Sequence, residues 1–394
     1  MAFKPTTIEQ DCYTSALDRI RRIYDNYDRI VVSFSGGKDS TCVLNTTLTV
    51  ARERDRLPLD VYFVDEEAIY PETVEYVQRV QAIPDIRFKW VCLPIMHRNA
   101  CSRTQPWWHC WDPKDRDRWI RPMPEGAIHL GNCPGFRMGM KLHDLGPVLY
   151  GPENGTVADL TGIRTQESIR RLTVLLMKQQ DNFISGPDFG FRYKCKPIYD
   201  WKTEDVWFAT HHFGWDYNRA YDIQALLGSS PHQQRVTPPF GEEPLMGLWK
   251  YKQGWPELWE RMLQRVEGVN TAGLYALTDL YGTALKEPPQ GMTWQDWTHS
   301  LIKLYSPDQQ REIAANLSQA IKAHQRKTTR PIPEDTSDPH SGLSWKFIAL
   351  MVARGDLKGR KIGQLLMRAC SEAKRRGLTP QEVIAADQDE NSLV

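Results

Sequence analysis

The chain of 394 residues has no apolar run near the roughly 18 residues that a membrane-spanning helix needs. Its first residues, MAFKPTTIEQD, lack the apolar core of an export signal. The formal net charge is only +1, so no overall basic field favours nucleic acid and only local patches could serve such a partner. With 41% hydrophobic and 25% charged residues, the sequence predicts a soluble, globular, cytoplasmic protein without a membrane partner.

The eight cysteines include no CxxC pair, and a cytosolic chain of this size is expected to keep them as free thiols. A disulfide scaffold is therefore not expected. Between residues 92 and 133, cysteines and histidines supply enough soft ligands for zinc or an iron–sulfur cluster. Their spacing is wide and irregular, and buried free cysteines are ordinary core residues, so the pattern favours core thiols over metal ligands. The candidate metal ligands are Cys92, Cys101, Cys110 and Cys133.

The segment SFSGGKDS, residues 33–40, directly follows an apolar run at 29–32. This order predicts a strand, a glycine turn and the start of a helix. Gly36 and Gly37 can adopt positive φ without a Cβ penalty, so successive N–H groups can line an anion nest beside the positive end of the helix dipole. Lys38 adds a mobile charge, and three serines add hydroxyl donors. The spacing differs from the Walker A pattern, but the loop is likewise predicted to bind phosphate.

The first half of the chain alternates helical and strand patterns, which is typical of a parallel sheet covered on both faces. Five strands are expected, near residues 30–34, 60–64, 86–93, 156–162 and 196–199. An insertion over about 95–150, rich in Trp, Pro, Arg and His, is too long for a simple connection and is interpreted as a functional loop or lid.

After residue 215 only helical patterns follow, including one at 271–281, and a polar, proline-containing linker is expected at 327–341. The predicted organisation is therefore an α/β domain with a doubly wound parallel sheet at 1–215 and an all-helical domain at 216–394.

The segment TGIRTQESIRR, residues 161–171, closes the predicted fourth strand and opens a helix. Arg164 would lie at the strand end, with Arg170 or Arg171 one to two turns along the helix. Attack on an α-phosphate concentrates negative charge, which arginines can hold with paired hydrogen bonds. Because arginines near a helix start are also common on solvated surfaces, the pattern alone leaves both interpretations open.

SFSGGKDS resembles the PP-loop, SxGGxDS, of the ATP pyrophosphatase superfamily, whose members hold ATP by its β and γ phosphates and cleave it between α and β. Three further segments resemble the PAPS reductase and ATP sulfurylase small-subunit branch: YFVD with YPET after the second strand, GxRxxESxxR after the fourth, and KPIYDW with DVW beyond it. The four motifs occur in the same order across about residues 29–215. This resemblance implies a fold like that of the adenine nucleotide alpha hydrolases.

The resemblance also implies roles for particular residues. It implies that the triphosphate is held by Ser33, Ser35, Gly36, Gly37, Lys38, Asp39 and Ser40. The end of the second strand, Val64 and Asp65, would flank the adenine and ribose. Gly162 and Arg164 would face the α-phosphate or an acceptor anion, with Arg170 as a further nucleotide ligand. Lys38, Asp39 and Arg164 are the catalytic candidates.

ATP and Mg²⁺ are the implied cofactors. Asp65, together with Glu66 and Glu67, forms a carboxylate group that could hold magnesium at the phosphates. Acidic residues at a strand end are equally often solvated, so the pattern does not decide between the two interpretations.

The chain departs from the reductases of this branch. Those enzymes resemble one another in a C-terminal Glu-Cys-Gly-Leu-His segment, whereas Cys370 here stands in RACS, and the paired cysteine ligands of the related APS reductases are also missing. The expected function is therefore adenylyl transfer from ATP with release of pyrophosphate. A PAPS or APS reductase and a nucleotide-sensing co-activator without catalysis are the alternatives.

The Trp-rich insertion and the helical C-terminal part resemble the IbrA-type prophage co-activators. Those proteins join a PAPS reductase-like domain to an uncharacterised C-terminal region and are typically encoded beside a ParB-like partner. The resemblance implies a phage-related regulatory or defence role with such a partner. Basic runs at 358–361 and 374–376 would suit a nucleic-acid backbone, although such runs are often solvated helix faces.

Overall fold

The computed structural model describes residues 10–102, 105–167, 182–238, 240–241, 248–270, 288, 291–303, 305 and 307–353. Several features considered above lie outside these residues, namely Arg170, the helix at 271–281, Cys370 and both basic runs. Within the described parts of the chain, no helix is long and apolar enough to cross a membrane.

A mostly parallel sheet forms the centre of the fold. The described strands are β1 (Arg29–Ser33), β2 (Leu59–Val64), β3 (Ile86–Cys92), β4 (Met96–Arg98), β5 (Trp107–His109), β6 (Ile128–His129), β7 (Val157–Leu160), β8 (Ile184–Asp188) and β9 (Arg192–Cys195). Seven of these strands pair in the order β6, β3, β2, β1, β7, β9, β8, and only β8 runs antiparallel to its neighbour. Strands β4 and β5 form a separate antiparallel pair.

Helices accompany this sheet and continue beyond it. The described α-helices are α1 (Cys12–Asn26), α2 (Lys38–Glu53), α3 (Pro71–Gln81), α4 (Leu145–Leu149), α5 (Thr203–His212), α6 (Ala220–Leu226), α7 (Leu248–Gly254), α8 (Pro256–Arg265), α9 (Trp294–Ile302), α10 (Pro307–Gln325) and α11 (Trp345–Ala353). Helix α2 packs against α1 and α5, whereas α3 packs against β3 and α6. The predicted α/β fold class, with a helical C-terminal part, is confirmed.

The sequence explains why these segments form a covered parallel sheet. Ile30, Val31 and Val32 of β1 are all buried, as expected of a strand whose two faces are both covered by helices. Helix α3 begins with Pro71, which suits a first helical position because its missing N–H would have no partner there.

The chain order creates a topological switch point between β1 and β7. From β1 the chain moves outward through β2, β3 and β6, and then returns to build β7 and β9 on the other side of β1. Val32 pairs with Leu160, so the two strands end at nearly the same level. The loops after β1 and β7 therefore diverge at the carboxyl ends of neighbouring strands, where such sheets leave a crevice for ligands.

The long insertion is tied to the end of β2. The buried carboxylate of Glu67 accepts hydrogen bonds from the backbone N–H groups of Trp111 at 2.6 Å and Ile120 at 3.1 Å. Arg265 of α8 donates to the same carboxylate at 2.8 and 3.1 Å. These parts of the insertion are thus packed against the strand end.

The chain divides into two compact units. The first comprises Met1–Asn99 and Trp107–Val269, and the second comprises Ala100–Pro106 and Asn270–Val394. This division lies later in the chain than the predicted boundary after residue 215. The reason is that α6 and α8 belong with the sheet: Tyr221 bonds to Lys38, and Arg265 pairs with Glu67.

Described helices α9, α10 and α11 build the core of the second unit, to which Leu301, Ile313 and Leu343 contribute. The segment predicted as a linker, residues 327–341, is held in place within this unit. His324 contacts Ser341 Oγ at 2.6 Å, and the buried Asp338 accepts the Ser341 N–H at 2.8 Å.

Candidate functional site

The side chain of Ser40 organises the glycine loop after β1. Its hydroxyl oxygen lies 3.2 Å from both the Ser35 and the Gly37 backbone nitrogens, and it accepts hydrogen bonds from both. It donates in turn to the Gly37 carbonyl at 2.9 Å. Two of the amides expected to line an anion nest therefore bond within the loop. The Ser35 side chain is exposed, and Ser33 and Asp39 are half-buried, so the loop is open on that side.

The two loop glycines are required for different reasons. Gly36 has a φ of +70°, which disfavours any residue with a Cβ. Gly37 has a φ of −93°, so the expected positive φ applies to Gly36 and not to Gly37. A Cβ on Gly37 would lie 3.3 Å from the Tyr221 hydroxyl and 3.4 Å from a Val236 methyl group. Gly37 is thus needed because neighbouring side chains approach it closely.

Lys38 lies inside the fold, with only 3% of its surface exposed. Its ammonium group donates to the Gln234 carbonyl at 3.3 Å and lies 4.0 Å from Asp39 Oδ2. It also lies 5.2 Å from the centre of the Tyr221 ring. Burial lowers the pKa of Lys38, and the Asp39 carboxylate partly opposes this shift. The charge is therefore held close to the loop.

The loop after β7 meets the glycine loop directly. A Cβ on Gly162 would lie 2.8 Å from the backbone of Asp39 and Ser40, so only glycine permits this approach. Arg164, 3% exposed, donates to Asp39 Oδ1 at 2.5 Å. The structure thus brings together the candidates from the two predicted motifs.

The other donors of Arg164 also have protein acceptors. The guanidinium group bonds to Gln166 Oε1 at 3.0 Å, to the Trp201 carbonyl at 3.2 Å and to Thr203 Oγ1 at 3.4 Å. The sequence resemblance implies that Arg164 faces the α-phosphate or an acceptor anion. In the structure it instead joins the glycine loop to the start of α5.

A segment that the motif analysis did not single out covers one side of the loop. Asn218 Nδ2 donates to the Gly36 carbonyl at 2.9 Å and to Thr73 Oγ1 at 2.8 Å. The Tyr221 hydroxyl accepts the Lys38 backbone N–H at 3.0 Å. These residues are about 180 positions from the loop in sequence, and no local pattern indicates the contact.

Asp65 has a different environment from the one predicted. Its side chain is fully buried, accepts a hydrogen bond from Trp90 Nε1 at 2.7 Å and forms an ion pair with Arg121. It also accepts the Glu67 backbone N–H at 2.9 Å. These partners occupy the carboxylate, so Asp65 does not fit a magnesium ligand at the phosphates. Val64, the last residue of β2, is half-buried.

The cysteines proposed as metal ligands are core thiols. Cys92 donates to Asp65, and Cys110 donates to the Leu93 carbonyl at 3.2 Å. Burial raises the pKa of the Cys92, Cys110 and Cys133 thiols. Cys101 belongs to the second unit, and burial raises its pKa to about 12. Protonated thiols are poor metal ligands and poor nucleophiles. Among the described residues, no group of three His, Cys, Asp or Glu side chains could hold a metal ion.

The fold and the paired loops define a PP-loop α/β protein. The model of the phosphoadenosine phosphosulfate reductase domain matches residues 29–225, and that of a domain of unknown function, DUF3440, matches residues 228–339. The uncharacterized protein YbdN of Escherichia coli (strain K12) is 31% identical over 306 residues, which cover 73% of this chain and 74% of YbdN. The chain belongs to the phosphoadenosine phosphosulfate reductase domain family.

Solved structures of several proteins are distantly similar. The PAPS reductase of Candida auris, in a phosphate complex, is 16% identical, with a TM-score of 0.30 over 56% of this chain and 95% of its own. The FMN adenylyltransferase of Candida glabrata is 12% identical, with a TM-score of 0.33 over 55% of this chain and 62% of its own. The U34-tRNA thiolase NcsA of Methanococcus maripaludis is 11% identical, with a TM-score of 0.29 over 67% of this chain and 80% of its own.

Proposed function

We propose that this protein binds ATP at the crevice between β1 and β7 and cleaves it between the α and β phosphates. One observation carries the proposal: the glycine loop and the loop after β7 touch there, with Gly162 against the backbone of Asp39 and Ser40. Lys38 supplies a positive charge at the same place. A crevice at the switch point of a parallel sheet is where such folds bind nucleotides.

The proposed reaction is adenylyl transfer. An acceptor oxygen attacks the α-phosphorus, the bond from that phosphorus to the bridging oxygen breaks, and its electron pair leaves with pyrophosphate. Lys38 would stabilise the charge that develops on the leaving group. Asp39 lies between Lys38 and Arg164, at 4.0 and 2.5 Å, and would keep both cations oriented toward the loop.

The test is release of pyrophosphate from ATP across a panel of sulfate, carboxylate and hydroxyl acceptors. Lys38→Met should abolish release because it removes the charge. Lys89→Met is a matched control, since Lys89 also donates to a backbone carbonyl, that of Leu149 at 2.7 Å, and lies 3.8 Å from a tyrosine ring centre. Equal activity of the two variants would contradict the role of Lys38.

The same experiment separates the alternatives. ATP binding without pyrophosphate release from any acceptor would favour the nucleotide-sensing regulator. The family match keeps a PAPS or APS reductase as a second candidate. Sulfite release from PAPS or APS with a dithiol reductant, lost in Cys370→Ser, would support it. The buried, protonated state of Cys92 and Cys110 argues against those thiols as the reductant.

A regulatory or defence role beside a ParB-like partner is a further proposal, and it rests on the resemblance to the IbrA-type proteins alone. Charge reversal at Arg360 and Lys361 should weaken binding of a protein or nucleic-acid partner and leave ATP binding intact, because these residues lie outside residues 29–225, which match the reductase domain model. Pull-down and gel-shift assays at two salt concentrations measure this. Unchanged association would make these basic residues an ordinary solvated surface.

A further inference from the structure

Tyr221 stands beside the glycine loop with one of its hydrogen-bonding capacities unused. Its side chain is 3% exposed, and its ring packs edge-on against Trp207 with ring centres 5.3 Å apart. The hydroxyl oxygen accepts the Lys38 backbone N–H at 3.0 Å. Among the described residues, the hydroxyl proton has no acceptor. Buried donors normally have a partner, so the missing acceptor calls for an explanation.

The Lys38 ammonium group also has unused hydrogen-bond donors. It carries three donors, yet its hydrogen bonding among the described residues is limited to the Gln234 carbonyl, at a long 3.3 Å. The nearest carboxylate oxygen, on Asp39, is 4.0 Å away. Burial lowers the pKa of Lys38, which reflects this incomplete compensation. A buried cation with unused donors is costly unless an anion completes its environment.

These two groups with unused hydrogen-bond donors are close together, since Lys38 Nζ lies 5.2 Å from the centre of the Tyr221 ring. An anionic oxygen near them could accept from both the ammonium group and the phenol. The Lys38 amide keeps the phenol oriented by donating to its oxygen, which leaves the phenol proton available for a ligand.

We propose that Tyr221 is a phosphate-binding residue of this site, and that it donates its hydroxyl proton to an oxygen of the β or γ phosphate that Lys38 also binds. This inference rests on the proposed ATP binding and adds a residue from α6 to it. The phosphate would replace the Gln234 carbonyl as the main acceptor for Lys38. Arg235, which follows Gln234 in the chain, adds positive charge that helps to lower the pKa of Lys38.

Tyr221→Phe tests the inference because it removes only the hydroxyl group and keeps the buried ring. Affinities for inorganic pyrophosphate, ATP and AMP are measured by calorimetry on the full chain. A hydrogen bond to a charged acceptor predicts a roughly tenfold to hundredfold loss of affinity for pyrophosphate and ATP. AMP lacks the β and γ phosphates, so its affinity should stay the same.

Tyr217→Phe is the matched control. Tyr217 precedes α6 and bonds to Asp222 at 3.0 Å, so the variant removes a hydroxyl group from the same segment without touching the loop. It should bind all three ligands as the wild type does. Circular dichroism should show that both variants are folded.

Three results would overturn the inference. Unchanged pyrophosphate affinity in Tyr221→Phe would show that the hydroxyl group contacts no phosphate. Tighter binding would show that Tyr221 covers the loop and competes with the ligand. An equal loss for AMP would show general disruption. Failure of the wild type to bind either ATP or pyrophosphate would instead contradict the proposed function itself.

Discussion

Arg164 Nε donates to Asp39 Oδ1 at 2.5 Å, which links the loop after β7 to the first turn of α2. The link joins the two motifs that the sequence had assigned separately to the β and γ phosphates and to the α-phosphate. Because the remaining donors of Arg164 contact Gln166, Trp201 and Thr203, the residue acts here as a clamp between three segments.

Arg164→Lys should therefore lower ATP affinity and turnover together, each by roughly tenfold, since lysine cannot reproduce the planar fork of donors. Binding is measured by calorimetry and turnover by pyrophosphate release. Arg19→Lys is the control, because Arg19 also pairs with an aspartate, Asp200, through two hydrogen bonds at 2.8 and 2.5 Å. A loss of turnover at unchanged affinity would instead assign Arg164 to the transition state, as the sequence first suggested.

Gly37→Val should abolish ATP binding, and Gly37→Ala should weaken it less. A Cβ at this position would lie 3.3 Å from the Tyr221 and Ser35 hydroxyl oxygens, and the two methyl groups of valine would have no room beyond it. Calorimetry gives the affinity, and thermal unfolding shows whether the variants fold. Normal ATP affinity in folded Gly37→Val would contradict a nucleotide site at this loop.

Glu66 should make stability depend on pH. Burial, followed by the negative charge of Asp65, raises the pKa of Glu66 from 4.5 to about 7. Between these values the folded protein keeps a proton that the unfolded chain has lost, so this group lowers stability as pH rises from about 4.5 to 7. The free energy of unfolding of Glu66→Gln, relative to that of the wild type, should rise by up to about 3 kcal/mol when the pH is raised from 4 to 8.

Urea unfolding of the two proteins at both pH values measures this difference. Glu125→Gln, at an exposed position, is the control for loss of a carboxylate. Glu66 also lies 3.3 Å from His97, whose pKa burial lowers to about 4. Because His97 contacts Glu66, its opposite effect is removed by repeating the comparison in a His97→Gln background. The same Glu66→Gln effect at both pH values would contradict the prediction.

Arg265→Ala should destabilise the first unit by roughly 3–5 kcal/mol, because it leaves the buried Glu67 carboxylate without its cation. The double variant Glu67→Gln, Arg265→Met should recover much of this loss, since it removes both charges together. Urea midpoints of the three proteins give the comparison. A double variant less stable than Arg265→Ala would show that the hydrogen bonds to Trp111 and Ile120 matter more than the charge balance.

Local patterns determined a large part of this protein. The apolar run before Ser33, the glycines and the helix-forming residues after Lys38 specify β1, the loop and α2, because strand, turn and helix propensities depend on residues close in sequence. The same patterns located the loop after β7, and the order of elements predicted the parallel sheet.

Tertiary structure alone decided which atoms surround the site. Tyr221 reaches Lys38 across 183 positions, and Asp65 is paired with an arginine of the insertion, so no short pattern could reveal that the first residue joins the loop while the second is unavailable to a metal. The boundary between the units was hidden for the same reason. Helical periodicity shows that α6 and α8 are helices, but which surface they bury against depends on contacts between residues far apart in the chain.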